Sequence, residues 1–157
     1  VTTDELIHRD AFNLFLGDLI GSGMSRKVFT CPLMPNCIVK VESGSGYFQN
    51  VIEWETWQRV KLTEFSRWFA ECKAISPNGS ILVMERTLPA APSDYPERMP
   101  TFLTDFKRAN YGVVPDGPTR SGKAGSYFLV CHDYGTNLLF ENGMTNRTRK
   151  VTWSDDL

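Results

Sequence analysis

The chain has 157 residues, enough for one domain with its own core and too few for two ordinary ones. A composition of 41% hydrophobic, 22% charged and 12% aromatic residues excludes the disordered and membrane classes. The formal net charge of -1 gives no global basic field to draw the molecule onto nucleic acid, so neither nucleic acid nor membrane is an expected partner.

In chain order, residues 1–20 carry Asp4, Glu5, Arg9, Asp10 and Asp18, too many charges for a secretory signal, so a cytoplasmic location is expected. Residues 14–20, 27–30 and 37–41 are short runs rich in β-branched and aromatic side chains, separated by glycine or proline, and predict antiparallel strands. Over residues 48–65 the apolar positions Val51, Ile52, Trp54, Trp57, Val60 and Leu62 recur at helical spacing and predict an amphipathic helix. Residues 67–75 and 80–86 flank Pro77-Asn78-Gly79 and predict a hairpin. Two stretches rich in proline, glycine and serine, 88–100 and 115–126, follow.

Cys31, Cys37, Cys72 and Cys131 have no CxxC spacing and predict reduced thiols rather than a zinc site. The tryptophans Trp54, Trp57, Trp68 and Trp153 are expected as core or interface anchors, and His8 and His132 as structural or solvated. The basic run 146–150 is expected as a solvated tail.

Several motifs carry chemistry. Gly21 and Gly23 lie at a strand turn before Val28, where bare backbone lets N–H groups approach phosphate oxygens. Lys40 sits between Val39 and Val41 on a strand expected to be buried, and an ammonium there needs an anionic partner. Glu53 on the following helix is preferred over Glu55, which falls about 200° away around the helix axis. Then come Met84-Glu85-Arg86, Asp105-Phe106-Lys107-Arg108-Ala109-Asn110 with the spacing D-x-K-x-x-N, and Asp133-Tyr134-Gly135.

Glycine turn, strand lysine, helix glutamate, hinge-like Met84-Glu85-Arg86, D-x-K-x-x-N and Asp-aromatic-Gly, in this order, resemble a protein kinase. The stretch 21–40, with Pro32-Leu33-Met34-Pro35-Asn36, is similar to compact kinase-like proteins encoded by tailed bacteriophages. The resemblance implies an α+β fold: a kinase-like small lobe of about five antiparallel strands with one αC-like helix over residues 14–86, and a strongly reduced second lobe over 87–157, in a single compact domain. It implies ATP and magnesium (Mg2+) as ligands. Gly21, Gly23, Val28, Lys40, Glu53, Met84 and Glu85 would serve the nucleotide, Asn110 and Asp133 the metal, and Asp105 and Lys107 phosphoryl transfer to a Ser or Thr of a host protein.

Ser25 or Arg26 stands where the third glycine of a kinase phosphate loop would be, and Leu103-Thr104 where most kinases have His-Arg. The short stretch after Gly135 leaves little room for a peptide-binding helical lobe, which motivates a second reading: an inactive pseudokinase that binds and inhibits a host protein. Two further frames stay open. One reads Asp133 to Asn137 as the catalytic loop, with Asp155 or Asp156 on the metal. The other reads Gly117 to Lys123 as a P-loop, although Ala124 stands where its Ser or Thr would be.

Overall fold

The computed structural model describes residues 1–43, 48–115 and 127–155. Its elements are α1 (Thr3–Phe15), β1 (Leu19–Ser22), β2 (Arg26–Thr30), β3 (Cys37–Glu42), α2 (Gln49–Val60), β4 (Cys72–Ile75), β5 (Ile81–Glu85), β6 (Arg98–Pro100), β7 (Tyr111–Pro115), β8 (Tyr127–Cys131), α3 (Leu139–Asn142) and β9 (Thr148–Lys150). The class is α+β with a five-stranded antiparallel sheet, as expected. The chain forms two compact units, residues 1–50 with 72–86 and residues 51–71 with 87–157.

In the first unit the strand order is β1-β2-β3-β5-β4. Central β3 is the most buried strand of this sheet, with Ile38 and Val39 buried between β2 and β5. The β4–β5 turn follows its sequence: Asn78 Oδ1 accepts from the Ser80 N–H at 3.1 Å, and Gly79 takes φ +78°, a conformation L side chains rarely adopt.

The segment 14–20 departs from expectation. Leu14 and Phe15 end helix α1, and the strand begins only at Leu19. The cause lies upstream, in a capping box. Thr2 Oγ1 accepts the Glu5 N–H at 3.1 Å, and Glu5 Oε2 accepts the Thr2 N–H at 2.8 Å, while Asp4 and Glu5 favour the positive end of the helix dipole.

The predicted helix over 48–65 is shorter, ending at Val60. Thr63 then caps a 3₁₀ turn, Glu64–Trp68, by accepting the Phe65 N–H. The first hairpin strand therefore starts at Cys72 rather than at 67. Of the tryptophans, Trp57 is buried and Trp54, Trp68 and Trp153 are half-buried.

The second unit packs Phe69, Met99, Phe102, Leu103, Val114, Val130, Tyr134 and Leu139 into its interior. Phe69 stacks on Phe102 at 5.8 Å between centroids and meets Tyr134 edge-on at 4.8 Å. The β7–β8 pair runs in register from Tyr111↔Cys131 to Pro115↔Tyr127, and β6 pairs with β9. Gly112 is required in β7: a Cβ there would lie 2.4 Å from Thr87 Oγ1 and 2.8 Å from the Leu88 carbonyl.

Candidate functional site

The second unit holds Glu53 on α2 and brings Asp105, Lys107, Asn110 and Asp133 to the neighbourhood of one hairpin. Asn110 ends the 3₁₀ turn Arg108–Asn110 just before β7, and Asp133 follows β8 by two residues. The in-register pairing of Tyr111 with Cys131, extended by the His132 N–H donating to the Asn110 carbonyl at 3.0 Å, brings both to one end of the hairpin. Register at the open end of the ladder decides this juxtaposition.

The loop before β7 is held by its own polar groups. Asp105 has φ +53°, in the left-handed region that non-glycine residues seldom occupy. Its carbonyl accepts the Lys107 N–H at 2.7 Å and the Asn110 Nδ2 donor at 3.1 Å. The amide nitrogen of Asn110 is thereby directed into the loop. The Asp105 side chain is exposed, with Lys107 Nζ 3.9 Å from its Oδ1.

Leu103 and Thr104 have structural roles. Leu103 is in the core, and Thr104 Oγ1 donates to the Thr136 carbonyl at 2.9 Å while its own carbonyl accepts the Tyr111 hydroxyl.

Asp133 is exposed between two fixed neighbours. The Tyr134 N–H donates to Glu53 Oε2 at 2.8 Å, and the Tyr134 hydroxyl donates to the Ala70 carbonyl at 2.8 Å. On the other side, His132 Nε2 lies 2.7 Å from the Ala109 carbonyl and its Nδ1 lies 2.8 Å from Thr87 Oγ1. These partners place the proton on Nε2, so His132 is structural. Glu53 is 0% exposed whereas Glu55 faces solvent, as helix geometry requires.

Burial raises the Tyr111 phenol and the Cys131 thiol well above their ordinary ranges, so both remain neutral beneath the site. Cys131 Sγ donates to the Asp133 carbonyl at 3.2 Å, a contact absent from any motif-level reading.

Asn137 and Asp155, the described residues of the alternative frame beyond Asp133, have other partners. Asn137 is buried, its Nδ2 donating to Thr56 Oγ1 and the Tyr134 carbonyl and its Oδ1 accepting the Leu139 N–H. Asp155 is drawn to Arg108, at 2.6 Å. The P-loop reading falls on 117–123, outside the described residues, as does Asp156.

The first unit holds the other motif residues. Lys40 is 2% exposed on central β3, opposite Val28 on β2 and Leu82 on β5. Val28 is half-buried and also faces Gly21 across β1–β2. Met84 is buried and Glu85 half-buried at the end of β5, just before the first unit ends at Arg86.

Neither glycine of the β1–β2 turn is demanded by described packing. A Cβ at Gly21 would meet only Val28, at 3.6 Å, and one at Gly23 only the Arg26 carbonyl, at 3.9 Å.

Ser25 and Arg26 turn inward. Ser25 Oγ donates to Glu42 Oε2, and Arg26 Nη1 donates to Asn50 Oδ1 at 3.1 Å. The Glu42 carboxylate accepts the Gln49 and Asn50 N–H groups, both at 2.9 Å, capping the start of α2. Sequence reading missed this cap, because Glu42 and α2 are joined only by the fold.

Among the described residues no group of three or more His, Cys, Asp or Glu is arranged to hold a metal ion. Asn110 and Asp133 each bring one oxygen-bearing side chain to the neighbourhood of this hairpin end. That set suits magnesium, which keeps several waters and takes further oxygens from nucleotide phosphates. No helix among the described residues is long and apolar enough to cross a membrane. Comparison with protein-family models, curated proteins and solved structures finds no match to this chain.

Proposed function

We propose that the chain binds ATP with magnesium and transfers its γ-phosphoryl group to a protein hydroxyl, as a kinase-like phosphotransferase. The observation that carries this reading is the open end of the β7–β8 ladder, where the loop holding Asp105, Lys107 and Asn110 meets the chain leaving β8 one residue before Asp133. Support also comes from the buried Glu53 carboxylate accepting the N–H that follows Asp133, and from two turn glycines that packing does not require.

Asp105 accepts the proton of a Ser or Thr hydroxyl as its oxygen attacks the γ-phosphorus. The bond from that phosphorus to the bridging oxygen breaks, ADP leaves with the electron pair, and the proton passes from Asp105 to solvent. Lys107 balances negative charge on the group in transit. Asn110 and Asp133 would hold magnesium, which when bound supplies positive charge at the phosphate oxygens. In the first unit, Lys40 and the backbone at Gly21, Gly23 and Val28 serve the phosphates, and the backbone at Met84 and Glu85 serves the adenine.

Calorimetric titration with ATP and magnesium tests the reading. Magnesium-dependent binding is expected, lost in Lys40→Ala and Asp133→Ala. Asp105→Ala should retain binding and lose transfer. No binding by the unaltered chain would overturn the proposal.

A second reading, an inactive scaffold that engages a host protein, is favoured by helix α1, which buries no residue and exposes Leu6, Ile7, Phe12 and Leu14. Partner capture that survives Lys40→Ala and Asp133→Ala, without phosphate transfer by the unaltered chain, would select it.

A further inference from the structure

The segment that follows β9 wraps the loop carrying Asp105. Ser154 brackets that loop: its carbonyl accepts the Arg108 N–H at 2.9 Å, and its N–H donates to the Phe106 carbonyl at 3.0 Å, forming a parallel bridge with Lys107. Trp153 packs edge-on against Phe106 at 5.5 Å and Tyr111 at 4.9 Å, with its indole N–H donating to the Pro96 carbonyl at 2.7 Å. Arg149 Nη2 donates to the Leu103 carbonyl at 3.2 Å, and its guanidinium lies 5.0 Å from the Phe106 ring centre.

These contacts fall on both sides of Asp105, at residues 103 and 106–108, and Asp105 is where the backbone takes its left-handed turn. A residue in that region reverts to a commoner conformation unless its surroundings fix it. The bonds within the loop, from Lys107 N–H and Asn110 Nδ2 to the Asp105 carbonyl, fix one side of that peptide. The flanking peptides are fixed by residues 149–154.

Resting on the phosphotransferase reading, we infer that Trp153 and Ser154 are positioning residues for the transfer step, holding Asp105 and Lys107 in working geometry without touching nucleotide. Misplacement of a catalytic group by about 1 Å is enough to cost roughly a hundredfold in rate. The effect belongs in kcat, because the residues braced act on the group in transit.

The test uses the full chain. ADP formation from ATP with magnesium, with a mixed pool of Ser- and Thr-containing peptides as acceptor, is measured at steady state for the unaltered chain and for Trp153→Ala, Trp153→Phe and Ser154→Pro, the last of which removes the N–H that reaches Phe106. Amide exchange over residues 103–110 is followed by mass spectrometry in the same samples. For Ser154→Pro and Trp153→Ala, kcat should fall about a hundredfold with KM for ATP within about twofold. Exchange over 103–110 should quicken about tenfold, with β2, β3 and β5 remaining protected. Trp153→Phe, which keeps a ring in place, should recover most of kcat.

Unchanged exchange over 103–110 in both disruptive variants would overturn the inference, as would quickened exchange with kcat intact. Loss of protection in β2, β3 and β5 as well would show general structural damage and also count against it. An unaltered chain without turnover would overturn the transfer reading itself, and this role with it. An active unaltered chain whose variants keep full kcat would overturn only the positioning role.

Discussion

The main-chain N–H of Tyr134 donates to Glu53 Oε2 at 2.8 Å, joining residues 81 apart in sequence through a carboxylate with no solvent exposure. A buried N–H left without its acceptor costs about 1–3 kcal/mol. Glu53→Ala should therefore destabilise the protein by at least about that amount in urea titration, while Glu53→Gln, which keeps an acceptor oxygen, should cost less than half as much.

Asn110 and Asn137 should behave oppositely. Asn137 makes three buried hydrogen bonds with its amide, so Asn137→Ala should lower stability by about 2–3 kcal/mol. Its magnesium-dependent ATP affinity should stay near that of the unaltered chain. Asn110→Ala forfeits one amide bond, to the Asp105 carbonyl, and should cost about 1 kcal/mol while abolishing the magnesium dependence. Calorimetry paired with thermal melting separates the two.

Asp105 is held at φ +53°, where glycine is at ease and alanine is not. Asp105→Gly should be more stable than Asp105→Ala by about 1 kcal/mol, and neither should support phosphoryl transfer. Equal melting temperatures for the two variants would show that this backbone geometry relaxes when the carboxylate is removed.

The glycines divide in the same way. Gly112→Ala would drive a Cβ into Thr87 and the Leu88 carbonyl and should cost about 2–3 kcal/mol. Gly21→Ala and Gly23→Ala meet only ordinary contacts, so stability should change by under about 1 kcal/mol. Nucleotide affinity should drop in both, since the methyl group occupies the space a phosphate would approach.

Tyr111 and Cys131 predict an alkaline limit. Burial raises both groups in the folded state, while the unfolded chain releases these protons near their ordinary values of 10.0 and 9.0. The folded form thus binds more protons above pH 9, and stability, fully present below that value, falls as pH rises. The slope is about 1.4 kcal/mol per pH unit for each group that has passed its unfolded value. Tyr111→Phe removes one contributing group and should make the decline above pH 10 less steep, read from melting temperature against pH.

By itself the sequence determined the strand-rich first half, the sheet class, the helix carrying Glu53 inward and Glu55 outward, and the order of the motif residues. Those features rest on local chemistry: alternation, helical period, and turn residues such as Asn78-Gly79. The capping box at Thr2 and Glu5 was equally local, and it overrides the apolar run at 14–20 because two reciprocal hydrogen bonds start a helix that then extends to Phe15. Only the tertiary structure separated the surroundings of Asn110 from those of Asn137. Asn110 and Asn137 both follow an aspartate at similar spacing, and register in the β7–β8 ladder aligns the first with Asp133 while burial engages every polar atom of the second. The cap of α2 by Glu42 and the bracket of Ser154 around residues 106–108 were likewise settled by folding. Each depends on backbone groups, which no side-chain pattern records, meeting across a separation that the chain closes only when its core forms.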